Sequence, residues 1–163
     1  MALVLSTWNH GLNANIRALE VLDAGGSPVG MFSTFSMTFF ILPGRQFNNT
    51  ASNLVSDAAE AGVMVVEADS QEHSVGLAGH PDAEGIVTLD AAIMDATGRA
   101  GGVAFVRGIV HPIAVARLVM ERTPHVLLVG EGAEKFASTQ GIARIADTRH
   151  PDVEEVRQYG YTL

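Results

Sequence analysis

An α/β fold is what this chain of 163 residues predicts, and three observations carry the prediction. Segments with strand character alternate with amphipathic helical segments. Glycine and proline fall between those segments rather than inside them. Apolar residues make up 47% and charged residues only 17%, enough core material for one domain and too little charge for a disordered chain.

The elements follow in order. Residues 2–8 read as a short buried strand. Asn13 to Leu22 reads as a helix with Ile16, Leu19 and Leu22 on its inner face and Gly25-Gly26 as its stop. A second helix is expected from Val55 to Ala68, with Ser56 as N-cap and Ala59, Val63 and Val66 as its apolar stripe. A polar loop spans Asp69 to Glu84. Ile86 to Asp95 and Gly102 to Val106 read as paired strands around the turn Thr97-Gly98-Arg99. Pro112 suits the first turn of a helix running to Met120, with Ile113, Ala116 and Met120 buried. Thr123-Pro124 ends it, His125 to Val129 reads as a buried strand, and a last helix runs from Gly132 to a stop at Gly141.

Charge and composition exclude several classes of function. Ten basic and eighteen acidic residues give a net charge of −8, the wrong sign for neutralising nucleic-acid phosphates. Cysteine is absent, so disulfides, thiolate metal sites and cysteine nucleophiles are out. The apolar run Met31 to Leu42 is interrupted by Ser33, Thr34, Ser36 and Thr38 and falls short of the roughly 20 residues a membrane span needs. With no signal-peptide pattern at the start, a cytoplasmic location is expected.

Five blocks then point to a family. They are Leu5-Ser-Thr-Trp-Asn9, Ser74-Val-Gly-Leu-Ala-Gly-His-Pro-Asp82, Val87-Thr-Leu-Asp-Ala-Ala-Ile-Met-Asp95, His111-Pro-Ile-Ala-Val-Ala-Arg117 and Thr123-Pro-His-Val-Leu-Leu-Val-Gly-Glu-Gly-Ala133. In this order the chain resembles the glycosylasparaginases (aspartylglucosaminidases) of the N-terminal-nucleophile asparaginase family. The resemblance implies the first, α-chain half of a four-layer αββα sandwich, and hydrolysis of a side-chain amide of asparagine. It implies as partners a second, β chain and a small-molecule amide substrate, with assembly into dimers of αβ units. No metal site and no cofactor are expected.

In that family a threonine freed at the start of the second chain is the nucleophile, and its own α-amine is the base. No block here resembles the family's His-Asp-Thr cleavage site, and Thr162 has only one residue after it. The expectation is therefore no catalytic residue in this chain and no activity from it alone. Two residues match positions that the family places beside the nucleophile. Trp8 would wall the substrate pocket and offer an indole donor; Ser74 would offer a hydroxyl.

Two departures accompany the resemblance. Relatives often carry Gly-Tyr-Gly-Gly where this chain has Gly76-Leu77-Ala78-Gly79, and Ala78 has less backbone freedom than glycine. The stretch from Pro28 to Leu54 reads as an insertion, because joining Gly25-Gly26-Ser27 to Val55 restores the family pattern. It holds five of the seven phenylalanines and Arg45 as its one charge. It is either a lineage-specific loop or translated non-coding sequence. On this reading residues 1–163 form one incomplete domain.

Each residue also has a plainer reading. Trp8 alone would be core and Ser74 alone a loop hydroxyl. His125 reads as a core histidine. His73, His80, His111 and Asp82 lack the i, i+4 spacing of a helical zinc site. Asp90 and Asp95 read as structural hydrogen-bonding carboxylates. Gly130-Glu-Gly132 lacks the third glycine of a dinucleotide loop, since Lys135 holds that position. The open functional alternatives are an asparaginase or β-aspartyl peptidase branch, and a truncated, non-enzymatic fragment.

Overall fold

The computed structural model describes residues 4–5, 11–25, 32–33, 39–40, 49–95 and 97–145. Their strands are β1 (Val4–Leu5), β2 (Phe32–Ser33), β3 (Phe39–Phe40), β4 (Leu89–Met94), β5 (Ala100–Val106) and β6 (Leu127–Val129). The helices are α1 (Gly11–Gly25), α2 (Asn49–Glu67), α3 (Pro112–Arg122) and α4 (Gly130–Thr139). The described strands form one mixed sheet in the order β1-β3-β2-β4-β5-β6. An α/β chain is what the alternation predicted.

The β4–β5 hairpin is antiparallel and its turn is organised by one carboxylate. Buried Asp95 accepts bonds from the backbone N–H groups of Thr97 (2.9 Å) and Arg99 (3.0 Å) and from the Thr97 hydroxyl and Arg99 Nε, both at 2.7 Å. Burial pushes its pKa up, but these bonds from Thr97 and Arg99 outweigh it and hold the group below the usual carboxylate value. Strand β6 runs parallel to β5, a pairing that requires a crossover, and α3 supplies it.

One face of the sheet is closed. Leu89, Ala91, Ile93, Val103 and Val106 are buried there with Ile113, Ala116, Val119 and Met120 of α3 and with Ala59 and Val63 of α2. Helix α3 lies so close that a Cβ on Gly101 would stand 2.3 Å from the carbonyl oxygen of Ala116. The other face is open among the described residues. Leu127 and Val129 are 55% and 54% exposed, and Leu127 shares that face with Ala92, both within 3.6 Å of a Cβ built on Gly102.

Three expectations need correction. On α1 Gly11, Ala14, Ala18 and Leu22 are buried, while Ile16 and Leu19 are exposed. The cause is close packing on α2, where a Cβ on Gly62 would lie 2.7 Å from the Ala14 carbonyl oxygen; only small side chains fit at that separation. Helix α2 starts at Asn49, so Ser56 lies inside it, buried, and is not its N-cap. Ala59, Val63 and Val66 do form its buried stripe. Finally, β6 is an edge strand with an open face, so residues 125–127 and Val129 are exposed rather than buried, and His125 is no core histidine.

Of residues 2–8 only Val4 and Leu5 are described; Trp8 lies outside the described residues. The segment read as an insertion contributes β2 and β3, which stand between β1 and β4. It also contributes the first residues of α2.

Helices α2 and α3 are clamped by one guanidinium. Arg117 reaches Asp57 (2.6 Å), Glu60 (2.6 Å) and Glu121 (2.7 Å). Burial works against its charge, but the bonds to Glu121, Asp57 and Glu60 hold its pKa above the ordinary arginine value. Arg117→Met would leave three carboxylates facing one another without a counter-charge. A loss of about 2–3 kcal/mol is expected, tempered by the solvent around Asp57, and read as a lower urea midpoint.

Candidate active site

The end of α2, the loop after it, the start of β4 and the start of α3 enclose a cavity of about 230 Å³. Glu67, Ser74, His80, Thr88 and Asp90 are among its lining residues, with Gly76 beside them. Ser74, predicted from sequence, is on this wall.

Glu67 holds the assembly together. It is the last residue of α2, and its carboxylate is 5% exposed. Oε1 accepts the backbone N–H of Ile113 at 3.0 Å, and Oε2 lies 3.2 Å from Nδ1 of His111. The carboxylate thus caps α3 from a neighbouring helix, where His111 offers no side-chain cap of its own. Burial raises its pKa above the ordinary glutamate value, against the bonds from His111 and Ile113, which favour the charged form.

The loop rests directly on this anchor. Gly76 opens a 3₁₀ turn (Gly76–Ala78) at φ +68°, and a Cβ there would stand 2.1 Å from the carbonyl oxygen of Glu67. Only glycine meets both demands. Ala78, flagged as a loss of glycine freedom, does not sit at positive φ, so this turn asks for none at that position. Its carbonyl oxygen lies 3.2 Å from Nδ1 of His73, whose ring stacks on His80 with centroids 6.4 Å apart.

Ser74 is tied within the loop. Its backbone N–H donates to Glu72 Oε1 at 2.8 Å, and its hydroxyl donates to the same oxygen. That hydroxyl is therefore not paired with a histidine base, as a serine nucleophile would be. The arrangement suits a binding wall. Among the described residues no three or more His, Asp or Glu side chains converge as a metal site. No described helix is long and apolar enough to cross a membrane.

Asp90 and Asp95 do separate structural work. Between Leu89 and Ala91 the β4–β5 register slips, so Asp90 faces both Ala104 and Phe105 across a bulge. Phe105 adopts φ +55°, rare for so bulky a residue, and its N–H donates to Asp90 Oδ1 at 2.7 Å. Near it lies a wider, shallower cleft bordered by Arg107, Gly130, Glu134 and Arg144. There Glu134 is satisfied by Arg144 (2.8 Å) and the Arg107 N–H (3.1 Å). The Gly130-Glu-Gly132 turn is the strand-to-helix entry into α4.

Sequence reasoning missed Glu67 and Glu72. Glu67 looks like the polar end of an apolar helix, and its partner His111 is 44 residues away. Glu72 looks like one more charge in a polar loop.

The sequence model of the asparaginase family matches residues 46–159. An N4-(β-N-acetylglucosaminyl)-L-asparaginase of Elizabethkingia miricola is 45% identical over 142 residues, covering 87% of this chain and 34% of the relative. An isoaspartyl peptidase of Salmonella typhimurium is 55% identical over 71 residues, 43% of this chain and 21% of the relative. A plant-type L-asparaginase of Pyrococcus furiosus is 44% identical over 106 residues, 63% of this chain and 34% of the relative. The chain thus spans about a third of the length of the first of these curated relatives.

Proposed function

Because this chain belongs to the asparaginase family, we propose that it is the first part of a glycosylasparaginase-type amidohydrolase. The observation that carries the reading is the similarity to the Elizabethkingia miricola glycosylasparaginase, which extends over 87% of the chain. The substrate is an asparagine whose side-chain nitrogen bears a sugar.

The chemistry assigned to the whole enzyme is acyl transfer. A threonine hydroxyl at the start of a second chain attacks the amide carbon and passes its proton to its own α-amine. Donors around the carbonyl oxygen stabilise the tetrahedral intermediate; its collapse breaks the C–N bond and expels the glycosylamine, which takes the proton back from the α-ammonium, and water then hydrolyses the aspartyl ester left on the threonine to release aspartate. This chain's part is to bind. Ser74 and Trp8 contact the substrate end of the pocket, and the nucleophile comes from outside these 163 residues, so the chain alone is inactive. The open sheet face, with Leu127 and Val129 exposed, takes the second sheet of a four-layer αββα sandwich. The segment from Pro28 to Leu54 is an insertion relative to the family.

A second reading has its own support. The isoaspartyl peptidase of Salmonella typhimurium is 55% identical over its 71 matched residues, which favours β-aspartyl peptides as substrates. Steady-state kinetics on the chain assembled with a threonine-bearing second chain separate the two. Glycosylated asparagine is expected to be the better substrate by kcat/KM, and a preference for β-aspartyl dipeptides would transfer the chain to the other branch. Ser74→Ala and Trp8→Phe are each expected to raise KM about tenfold. Unchanged kinetics in both would remove the site assignment.

A further inference from the structure

A hydroxyl has one proton, and that of Ser74 is already committed. It is donated to Glu72 Oε1, the same oxygen that accepts the Ser74 backbone N–H at 2.8 Å. The two bonds close a small ring around one carboxylate oxygen. They fix both the position of Ser74 and the direction of its O–H bond. What the hydroxyl has left to offer is its lone pairs.

We propose that Glu72 is a positioning residue that turns Ser74 into an obligate hydrogen-bond acceptor, so that this wall of the cavity recognises an amine N–H. The inference rests on the reading of Ser74 as a site residue. A serine free to rotate could donate to a substrate carboxylate as readily as it accepts from an ammonium. With its proton held by Glu72, it selects for a donor. The charge of Glu72, one bond away, adds electrostatic preference for an ammonium over a carboxylate.

Two amines could be the donor. One is the α-ammonium of an asparagine substrate; the other is the α-amine that the second chain presents when its threonine is freed. The test distinguishes them. Glu72→Ala, Glu72→Gln, Ser74→Ala and the Glu72→Ala/Ser74→Ala double variant are assayed in the enzyme assembled with its second chain. The substrates are L-asparagine and succinamic acid, which is asparagine without its amine.

Glu72→Ala and Ser74→Ala are each expected to lower kcat/KM for asparagine about tenfold. The double variant should be no worse than either single one. Glu72→Gln keeps an acceptor oxygen and should return to within about threefold of the native enzyme. A loss confined to asparagine identifies the substrate ammonium as the donor. An equal loss on both substrates, with the acid limb of the pH profile displaced, identifies the second chain's amine.

Native kinetics in Glu72→Ala beside an impaired Ser74→Ala would overturn the inference and leave the site reading intact. So would losses that multiply in the double variant, or a Glu72→Gln enzyme as poor as Glu72→Ala. Native kinetics in Ser74→Ala would remove the site reading, and the inference with it.

Discussion

Gly101→Ala is expected to lower the unfolding free energy by about 3 kcal/mol, at the upper end of what overpacking costs. The added Cβ would stand 2.3 Å from the Ala116 carbonyl oxygen and 2.4 Å from the Met120 backbone nitrogen. Both are backbone atoms inside α3, so no side chain can move aside. The helix must lift from β5, and with it goes the contact that buries Val103, Ala116 and Met120. Urea denaturation measures the effect as a shifted midpoint at constant slope. Gly132→Ala is the control. Nothing lies within 4 Å of a Cβ there, so its midpoint should stay within about 0.5 kcal/mol of native, or rise.

Glu67→Ala ranks next, at about 2–3 kcal/mol, because it strands a buried N–H on Ile113 and removes the partner of His111. Glu67→Gln keeps an acceptor and should lose less. The two also differ in pH dependence. The folded pKa of Glu67 is raised above 4.5, so the folded state holds the proton more tightly than the unfolded chain does. Its contribution to stability is therefore complete below pH 4.5 and declines as pH rises through the folded value. Asp95 runs the opposite way and acts lower. Its folded pKa is depressed below 3.8, so its contribution is present above that pH and is lost on acidification. Melting temperature followed upward from about pH 4 should fall more steeply in the native chain than in Glu67→Gln. Parallel curves would show that Glu67 does not titrate differently on folding.

How much of this was legible in the sequence depended on the range of the interaction. The β4–β5 hairpin and the proline-led α3 were readable because short-range chemistry sets them: Asp95 with its turn, Pro112 at a first helical turn. Ser74 was reached through a motif, and the structure sets it on a cavity wall. The inner face of α1 was misread because hydrophobicity alone favours Ile16 and Leu19. Helix separation decided instead, and Gly62 on α2, 48 positions beyond Ala14 in the chain, sets that separation. The edge strand β6 reads as buried because its residues are apolar; among the described residues Leu127 and Val129 stay exposed on its open face. Glu67 was invisible for the same reason as the α1 face, since its role exists only once α2 and α3 meet.

On the proposed reading this chain binds while a second chain supplies the nucleophile. Aspartate release from N4-(β-N-acetylglucosaminyl)-L-asparagine tests it most directly. It is measured on the 163-residue chain alone and on the same chain assembled with a threonine-bearing second chain of the family. No release from the chain alone and turnover by the assembly is the predicted pair of results. Hydrolysis by the isolated chain, or a stable assembly that hydrolyses nothing, would contradict the account.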